Sequence, residues 1–143
     1  MPTLFSAMSA SASALGAERA RIETAVSNMA NAESTRGPNG EPYRRRDVVL
    51  AEDPVSAFDA MLGSNAGASG VKVAAIIQDR EPFKKRYEPS HPDADADGFV
   101  SMPNVDTPQE MVDMLGAARA YQANLAAITT IREMVAKALE LGR

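Results

Sequence analysis

The most informative absences in this sequence concern reactive side chains. The 143 residues include no cysteine, which excludes disulfides, thiolate metal sites and cysteine nucleophiles. The one histidine, His91, lacks the partners that a catalytic triad or a histidine metal site requires, so we expect it to hydrogen-bond its local turn. No glycine-rich phosphate loop occurs either. The sequence therefore predicts a protein that is not an enzyme and binds no cofactor.

Long apolar runs and broad basic surfaces are also missing. No run of eighteen apolar residues occurs, so we expect no membrane span. The first residues lack the basic and apolar regions of a Sec signal peptide, so we expect any export to proceed without a cleavable signal peptide. The formal net charge of −4 and the pI of about 5.0 argue against a nucleic-acid-binding protein. Two short basic clusters, residues 44–46 and 84–86, each adjoin a tyrosine and could stack on bases. We interpret them instead as solvated or interface faces of strands.

Apolar residues are present in a regular pattern near both ends of the chain. They recur at alternating spacings of three and four residues, the pattern of a helix that packs on other helices. One arginine interrupts each stripe, at Arg19 and Arg132. We predict that the following stripe residues form an assembly interface: Met8, Leu15, Ile22, Val26, Met29, Met111, Met114, Ala118, Tyr121, Leu125, Ile128, Val135 and Leu139.

The predicted helices are too long for a self-contained protein of this size. A helix of about 30 residues is about 45 Å long, whereas a compact chain of this length has a radius of gyration of about 14–15 Å. Such helices extend beyond their own globule, so other helices must cover their apolar stripes. Alanine supplies 26 residues, which favours close helix packing and leaves few large side chains for a central core. This design indicates an assembly subunit.

Three helices are predicted from local signals. The first spans about residues 3–31, and the turn-forming residues after it mark its exit. A short helix could form over residues 55–62. The last is predicted from Thr107 to about residue 141, with Thr107 as the N-cap, Pro108 in the first turn and Glu110 completing a capping box.

The central residues have the composition of strands. Residues 43–50 and 71–78 are each predicted to form one, the second being rich in branched apolar side chains. Residues 83–87 could form a further strand that pairs with residues 71–78. Four prolines then predict an extended, irregular path through residues 88–108. The chain is thus predicted to be mostly α with a small β-rich middle.

Three alternating aspartates form the most tempting candidate for a metal site. Asp93, Asp95 and Asp97, followed by Gly98, match the first half of an EF-hand calcium loop. The second half does not match, because Asn104 stands where a bidentate glutamate is required. The alternative is an aspartate-rich turn in which carboxylates cap backbone amides. We favour this turn and predict no metal ligand here.

Several segments resemble a known family. Residues 87–105 (YEPSHPDADADGFVSMPNV), with their continuation into the last helix, resemble the signature of the FlgC family of flagellar basal-body rod proteins, which are proximal-rod subunits. Residues 27–32 (SNMANA) resemble the helix-ending motif shared by rod, hook and hook-associated proteins of the bacterial flagellum. Residues 40–50 fit the same proximal-rod pattern. Residues 51–70 carry little signal, and Glu33 stands where the family commonly has asparagine.

The resemblance implies a fold and a mechanical function. The N-terminal and C-terminal helices would pair as a coiled-coil-like hairpin, and many such pairs would pack into a helical tube around an export channel. The domains would be the N-terminal helix (1–36), a β-rich middle with an extended proline-rich segment (37–106) and the C-terminal helix (107–143). The implied function is that of a structural subunit of the proximal rod, which crosses the periplasm and transmits torque.

The resemblance also implies the partners. They are further copies of the chain, other proximal and distal rod proteins, the proteins that join the membrane ring to the rod, and the flagellar export apparatus during secretion. No nucleic acid is expected among them.

Two other functions stay open at this point. A soluble helical adaptor or chaperone would bind a partner helix in its apolar stripe and would purify as a stable, folded oligomer. A calcium-responsive module using Asp93, Asp95 and Asp97 would gain thermal stability with the ion. A rod subunit should show neither property, because its order comes from neighbouring subunits.

Overall fold

A computed structural model describes residues 4–53 and 69–141. Along the chain, one long helix precedes a short β-rich region and a second long helix follows it. This order confirms a mostly α fold with a small β middle. The elements are α1 (Leu4–Ala30), β1 (Arg46–Asp53), β2 (Gly70–Gln78), β3 (Lys84–Tyr87), β4 (Phe99–Met102) and α2 (Thr107–Leu141). None of the described helices is long and apolar enough to cross a membrane.

The chain divides into two compact units, and both long helices contribute to each unit. The first unit comprises Met1–Ala20, Val49–Ala75 and Gly116–Arg143. The second unit comprises Arg21–Val48 and Ile76–Leu115. The three domains proposed from sequence follow the chain order instead, and they stay a prediction.

Helix α1 matches the prediction closely, because its alanine-rich sequence has high intrinsic helix propensity. It runs for 27 residues. The side chains of Ala17 and Ala25 are buried, so their small size allows other backbone to approach closely. Asn31 ends the helix: its amide N and its side-chain Nδ2 both donate to the carbonyl of Ser27, at 3.2 and 2.8 Å.

Strands β1 and β2 pair in a two-stranded sheet. The residue before β1 meets the residue after β2, since the amide of Asp79 donates to the carbonyl of Arg45 at 2.8 Å. The strand predicted over residues 71–78 is confirmed as β2. The strand predicted over residues 43–50 begins three residues later than expected, at Arg46, and runs to Asp53.

The pairing expected for residues 83–87 was wrong. Strand β3 pairs antiparallel with β4, in the register Lys84 with Met102 and Tyr87 with Phe99, and not with β2. Residues 88–108, expected to be irregular throughout, therefore contain a strand. The reason is the burial of two alternate residues. Val100 is fully buried and Met102 nearly so. Because successive side chains of a strand point to opposite faces, these two residues form one apolar face of β4.

A glycine turn positions β4 beside β3. Gly98 adopts a φ of 79°, a left-handed conformation that L-residues other than glycine rarely take. An added Cβ would also lie 3.0 Å from Cε2 of Tyr87 and 3.2 Å from Cβ of Pro89. The carbonyl of Gly98 accepts a hydrogen bond from the amide of Glu88 at 2.9 Å. Glycine is therefore required here on both conformational and steric grounds.

The start of α2 differs from the predicted capping box. The carbonyl of Asp106 accepts the first helical hydrogen bond, from the amide of Glu110 at 3.0 Å, so Asp106 is the N-cap and Thr107 the first helical residue. The carboxylate of Glu110 points to other partners, described below. The helix end predicted near residue 141 is confirmed. The short helix predicted at residues 55–62 lies outside the described residues.

Candidate assembly surface

The predicted stripe residues lie at or near the surface. Of the thirteen, none is fully buried. Four of them have exposed fractions between 46% and 70%: Val26, Met111, Leu125 and Leu139. The other nine are half-buried: Met8, Leu15, Ile22, Met29, Met114, Ala118, Tyr121, Ile128 and Val135. Both helices thus carry apolar side chains that the chain by itself covers only in part.

The buried face of α2 is offset from its predicted stripe. Glu110, Ala117 and Ile131 are buried, and each immediately precedes a stripe position. They recur at intervals of seven residues or a multiple of seven, so they share one face of the helix. This offset turns Met111 and Leu125 outward.

Further large apolar side chains are exposed on the helices beyond the predicted interface. They are Leu4, Phe5, Val112, Leu115, Met134 and Leu141. Leu115 is four residues from Met111, so the two are neighbours on the helix surface. The exposed apolar surface of α2 is therefore wider than one heptad stripe.

An apolar groove in the first unit brings the two helix ends together. It has a volume of about 270 Å³ and lies between the first turns of α1 and the last turns of α2. Its lining residues are Leu4, Phe5, Met8, Ile131, Arg132, Val135, Ala136 and Leu139. Three of the predicted stripe residues, Met8, Val135 and Leu139, thus meet in one groove.

The second unit contains a buried polar cluster instead. The side chain of Glu110, 2% exposed, accepts from Arg45 Nε at 2.5 Å and from Asn28 Nδ2 at 2.8 Å. One carboxylate therefore joins the end of α1, the residue before β1 and the start of α2. Charge-assisted bonds of this kind are shorter and stronger than neutral ones.

Asn28 uses all its hydrogen-bonding capacity within this cluster. Its Nδ2 donates to the carbonyl of Arg46 at 2.8 Å as well as to Glu110. Its Oδ1 accepts from the amide of Arg46 at 3.0 Å and from the Tyr43 hydroxyl at 2.9 Å. A buried polar group is tolerated when it is fully bonded in this way. The asparagine of the helix-ending motif therefore has a tertiary role.

The guanidinium of Arg45 faces three carboxylates. Besides Glu110, it lies 3.6 Å from Oδ2 of Asp79 and 3.6 Å from Oδ2 of Asp113. Burial by itself lowers the pKa of Arg45, but the hydrogen bond and charge of Glu110, followed by the charges of Asp47 and Asp79, outweigh burial and raise that pKa above its usual value. Arg45 therefore remains a cation in the folded chain.

Asn104 extends the cluster toward β3 and β4. It is buried, and its Oδ1 accepts from the amide of Arg45 at 2.9 Å, while its Nδ2 donates to the carbonyl of Glu81 at 3.3 Å. Among the residues that the structure describes, no buried side-chain nitrogen or oxygen lacks a hydrogen-bond partner. The cluster is thus internally satisfied.

Sequence analysis missed this cluster, although each member carried a signal. Glu110 was interpreted as a capping residue, Arg45 as part of a solvated basic cluster, and Asn28 as part of a helix-ending motif. Their separation along the chain hides their contact, since Asn28 and Glu110 are 82 residues apart. The available signal was a charged residue at heptad spacing from Ala117 and Ile131, two apolar residues of the same helix face.

The two basic clusters have structural partners. The Arg44 guanidinium lies 4.2 Å from the centroid of the Phe83 ring, and that of Arg46 lies 5.6 Å from the Tyr43 ring. Lys84 Nζ donates to the carbonyl of Val105 at 2.9 Å. Arg86 pairs with Glu88, Nε to Oε1 at 2.8 Å.

The aspartate-rich segment is a turn stabilised by its own side chains. Asp95 Oδ1 accepts from the amides of Asp97 and Phe99, at 3.0 and 2.8 Å, which confirms the capping interpretation for Asp95. Asp93 accepts from the Thr35 hydroxyl at 2.8 Å. Within residues 4–53 and 69–141, no group of three or more metal-ligating side chains is placed to hold an ion.

The expected role of His91 is confirmed in the same segment. Its Nδ1 accepts from the amide of Asp93 at 3.1 Å. The histidine thus stabilises the local turn, as other turn-forming side chains do.

Comparison with known proteins identifies the class of protein first. A family model described as "Flagellar basal body rod FlgEFG protein C-terminal" matches residues 96–141, the part of the chain that holds β4 and α2. This match places the end of the chain among the rod proteins of the flagellum.

Full-length relatives define the family more narrowly. The chain is 47% identical over 131 residues to the flagellar basal-body rod protein FlgC of Salmonella typhimurium (strain LT2), covering 92% of each chain. It is 42% identical to FlgC of Bacillus subtilis (strain 168), covering 99% of each. It is 38% identical to FlgC of Borreliella burgdorferi, covering 96% of this chain and 97% of the relative.

The chain therefore belongs to the FlgC family of flagellar basal-body rod proteins. Its role is that of a structural protein of the basal-body rod, and its location is the flagellar basal body. The resemblance inferred from residues 27–32 and 87–124 is confirmed.

Proposed function

We propose that this chain is a subunit of the proximal rod and polymerises through its terminal helices. The polymer forms a drive shaft that transmits torque and surrounds the export channel. Its partners are further copies of the chain, other proximal and distal rod proteins, and the proteins that join the membrane ring to the rod. The subunit crosses into the periplasm through the flagellar export apparatus.

The observation that supports this proposal most directly is the exposure of the predicted stripe. Leu125 and Leu139 have exposed fractions of 51% and 70% on a long helix. Apolar surface of this kind contributes about 25 cal/mol per Å² when a neighbour covers it. Repetition of that contact along a rod would give the stiffness that torque transmission needs.

The width of the exposed surface favours a polymer over a single partner helix. Met111 and Leu115 are half exposed on adjacent positions of α2, and Val112 is exposed to 68%. One neighbouring helix covers one stripe, so this broader surface needs more than one neighbour. Heterologous contacts that do not close into a ring generate a helical filament.

The experiment replaces one stripe residue and one matched residue on the same helix. Leu125→Asp places a charge on the proposed interface, where an unpaired buried charge costs several kcal/mol in every repeated contact. Gln122→Asp introduces the same side chain at another exposed position three residues away. Each variant replaces the chromosomal copy, and both are measured for cellular level, export, swimming and rod formation by electron microscopy of purified basal bodies.

We expect Leu125→Asp to be made and exported but to yield no completed rod, and Gln122→Asp to swim. Normal rods in Leu125→Asp cells would contradict the proposed interface. Loss of rods in both variants would show that added charge on α2 is harmful at either position. The result would then give no support for the stripe as the assembly interface.

A further inference from the structure

In the second unit, a hydrogen bond between two buried polar side chains, Asn28 and Glu110, joins α1 and α2. Ala25 is buried on α1 one turn before Asn28. Along α2, the next buried side chain after Glu110 is Ala117, which is seven residues further on and lies in the first unit. Alanine surfaces are nearly featureless, so they select helix register only weakly. The polar contact is the specific one.

A displacement of α2 by one heptad would preserve the apolar pattern but would break the polar contact. Sliding α2 by seven residues, about 10 Å, would bring Ala117 to the position of Glu110. The apolar residues of α2 would occupy equivalent positions again, because they repeat at the same interval. Asn28 Nδ2 and Arg45 Nε would then lose the acceptor that now lies 2.8 and 2.5 Å away. Only the native register satisfies both donors.

We infer that Asn28, Arg45 and Glu110 form a register pin, a polar contact whose role is to fix the alignment of α1 and α2 within the second unit. A single buried polar group is known to select register in paired helices, often without adding stability. Asn28 and Glu110 are 1% and 2% exposed, and Asn28 also holds both backbone groups of Arg46. The pin therefore aligns three segments by one set of bonds.

The pin determines which side chains the chain presents for assembly. With Glu110 facing inward, Met111 and Val112 face outward, with exposed fractions of 51% and 68%. A slipped register would keep the helices paired but would displace these side chains along the axis. Asn28, Arg45 and Glu110 are accordingly positioning residues for the exposed surface, although none of them needs to touch a neighbour.

The absence of cysteine allows a direct test by pulsed dipolar electron paramagnetic resonance. Ala30→Cys on α1 and Val112→Cys on α2 introduce the only two thiols, both at exposed positions of the second unit. Spin labels at these sites report the distance between the helices in the full-length monomer. This measurement does not depend on rod formation, so its failure is distinguishable from failure of the proposed polymerisation.

The labelled chain should give one narrow distance distribution. Asn28→Ala, which leaves the Arg45–Glu110 ion pair in place, should broaden that distribution at least about twofold, because the specific link between the helices is lost. The double variant Asn28→Leu with Glu110→Leu should retain its helix content by far-UV circular dichroism. It should also show a second population displaced by up to about 10 Å.

Two control variants separate the pin from general stability. Glu133→Gln removes a carboxylate charge at an exposed position of α2 and should preserve the narrow distribution. Gln122→Leu adds an apolar residue at an exposed site of α2 and should also preserve it. A narrow distribution in both Asn28→Ala and the double leucine variant would overturn the inference. A broad distribution in the labelled parent chain, or in Glu133→Gln, would overturn it equally.

Discussion

The two compact units differ in the side chains that they bury. Among the described residues of the second unit, the buried set includes Val100, Met102, Val105, Asn28 and Glu110. The described part of the first unit buries Ala17, Ala117 and Ile131. The first unit also exposes Phe5 and Leu139 to 72% and 70%. The second unit therefore has the larger buried set and a satisfied polar cluster, although it also exposes Met111 and Val112, whereas the described part of the first unit buries few large side chains.

This difference indicates which region of the chain is ordered by its own internal contacts. Buried apolar groups and satisfied polar networks give local stability, and regions with few of them open at low free energy. A rod subunit gains by this division, because one region can hold its shape while the other orders on its neighbours. Substitutions and exchange measurements in each unit can test this contrast.

Removing the central carboxylate should destabilise the second unit most. Glu110→Ala leaves Arg45 without its closest partner, and breaking a buried ion pair typically costs about 3–5 kcal/mol. Asp79 and Asp113 remain 3.6 Å from the guanidinium, so we expect a cost near the lower end of that range. Urea unfolding followed by far-UV circular dichroism measures it. The matched control is Glu133→Ala, an exposed glutamate of α2, and an equal loss in both would refute the role of the cluster.

Hydrogen exchange on a verified monomer should separate the two units. We expect amides of residues 99–102 and 110–115 to be protected about 100-fold more than those of residues 8–20 and 118–141. The reason is that the first group lies beside the buried side chains of the second unit. Mass spectrometry of peptic fragments measures the ratio. Uniformly slow exchange along both helices would mean that the chain folds fully alone, which is the behaviour of an adaptor.

Replacing one valine with alanine in each unit compares how much a single side chain contributes to stability in the two units. Val100→Ala removes two methyl equivalents from a fully buried site of the second unit and should cost about 2 kcal/mol. Val49→Ala makes the same change in the first unit, where the side chain is 39% exposed. It should cost less than about 0.5 kcal/mol. Thermal unfolding of the two variants compares them, and a reversed order would break the contrast between the units.

The aspartate turn should have the smallest effect. Asp95→Ala removes the acceptor for two backbone amides, a loss comparable to that of a helix cap, about 1 kcal/mol. Asp97→Ala is the control, and swimming should persist in both variants. Calcium should leave the melting temperature of the parent chain unchanged. A rise in that temperature with calcium concentration would instead support the calcium-responsive module.

Local patterns located the two long helices and one strand correctly. The alanine-rich stripes predicted α1 and α2 to within a few residues, and branched residues predicted β2, because these signals act over neighbouring residues. The partner of β3 was predicted wrongly. Pairing depends on which distant segment buries an apolar face, and Val100 and Met102 supply that face from beyond a proline-rich stretch.

The same limit applied to single residues with two possible roles. Glu110 was predicted to cap α2, and its position in the first turn is compatible with that role. Its carboxylate bonds to Asn28 and Arg45 instead, because Asp106 already begins the helix. Local sequence could name the candidate roles but could not rank them.

The long terminal helices, the family and the two apolar stripes could all be predicted from the amino-acid sequence. These follow from periodicity, propensity and motif, which are properties of consecutive residues. Three features could not be predicted in this way: which face of each helix is buried, which strand pairs with β3, and how Asn28 meets Glu110. Those outcomes depend on contacts across as many as 82 residues. Such contacts form only where burial and hydrogen bonding are satisfied together.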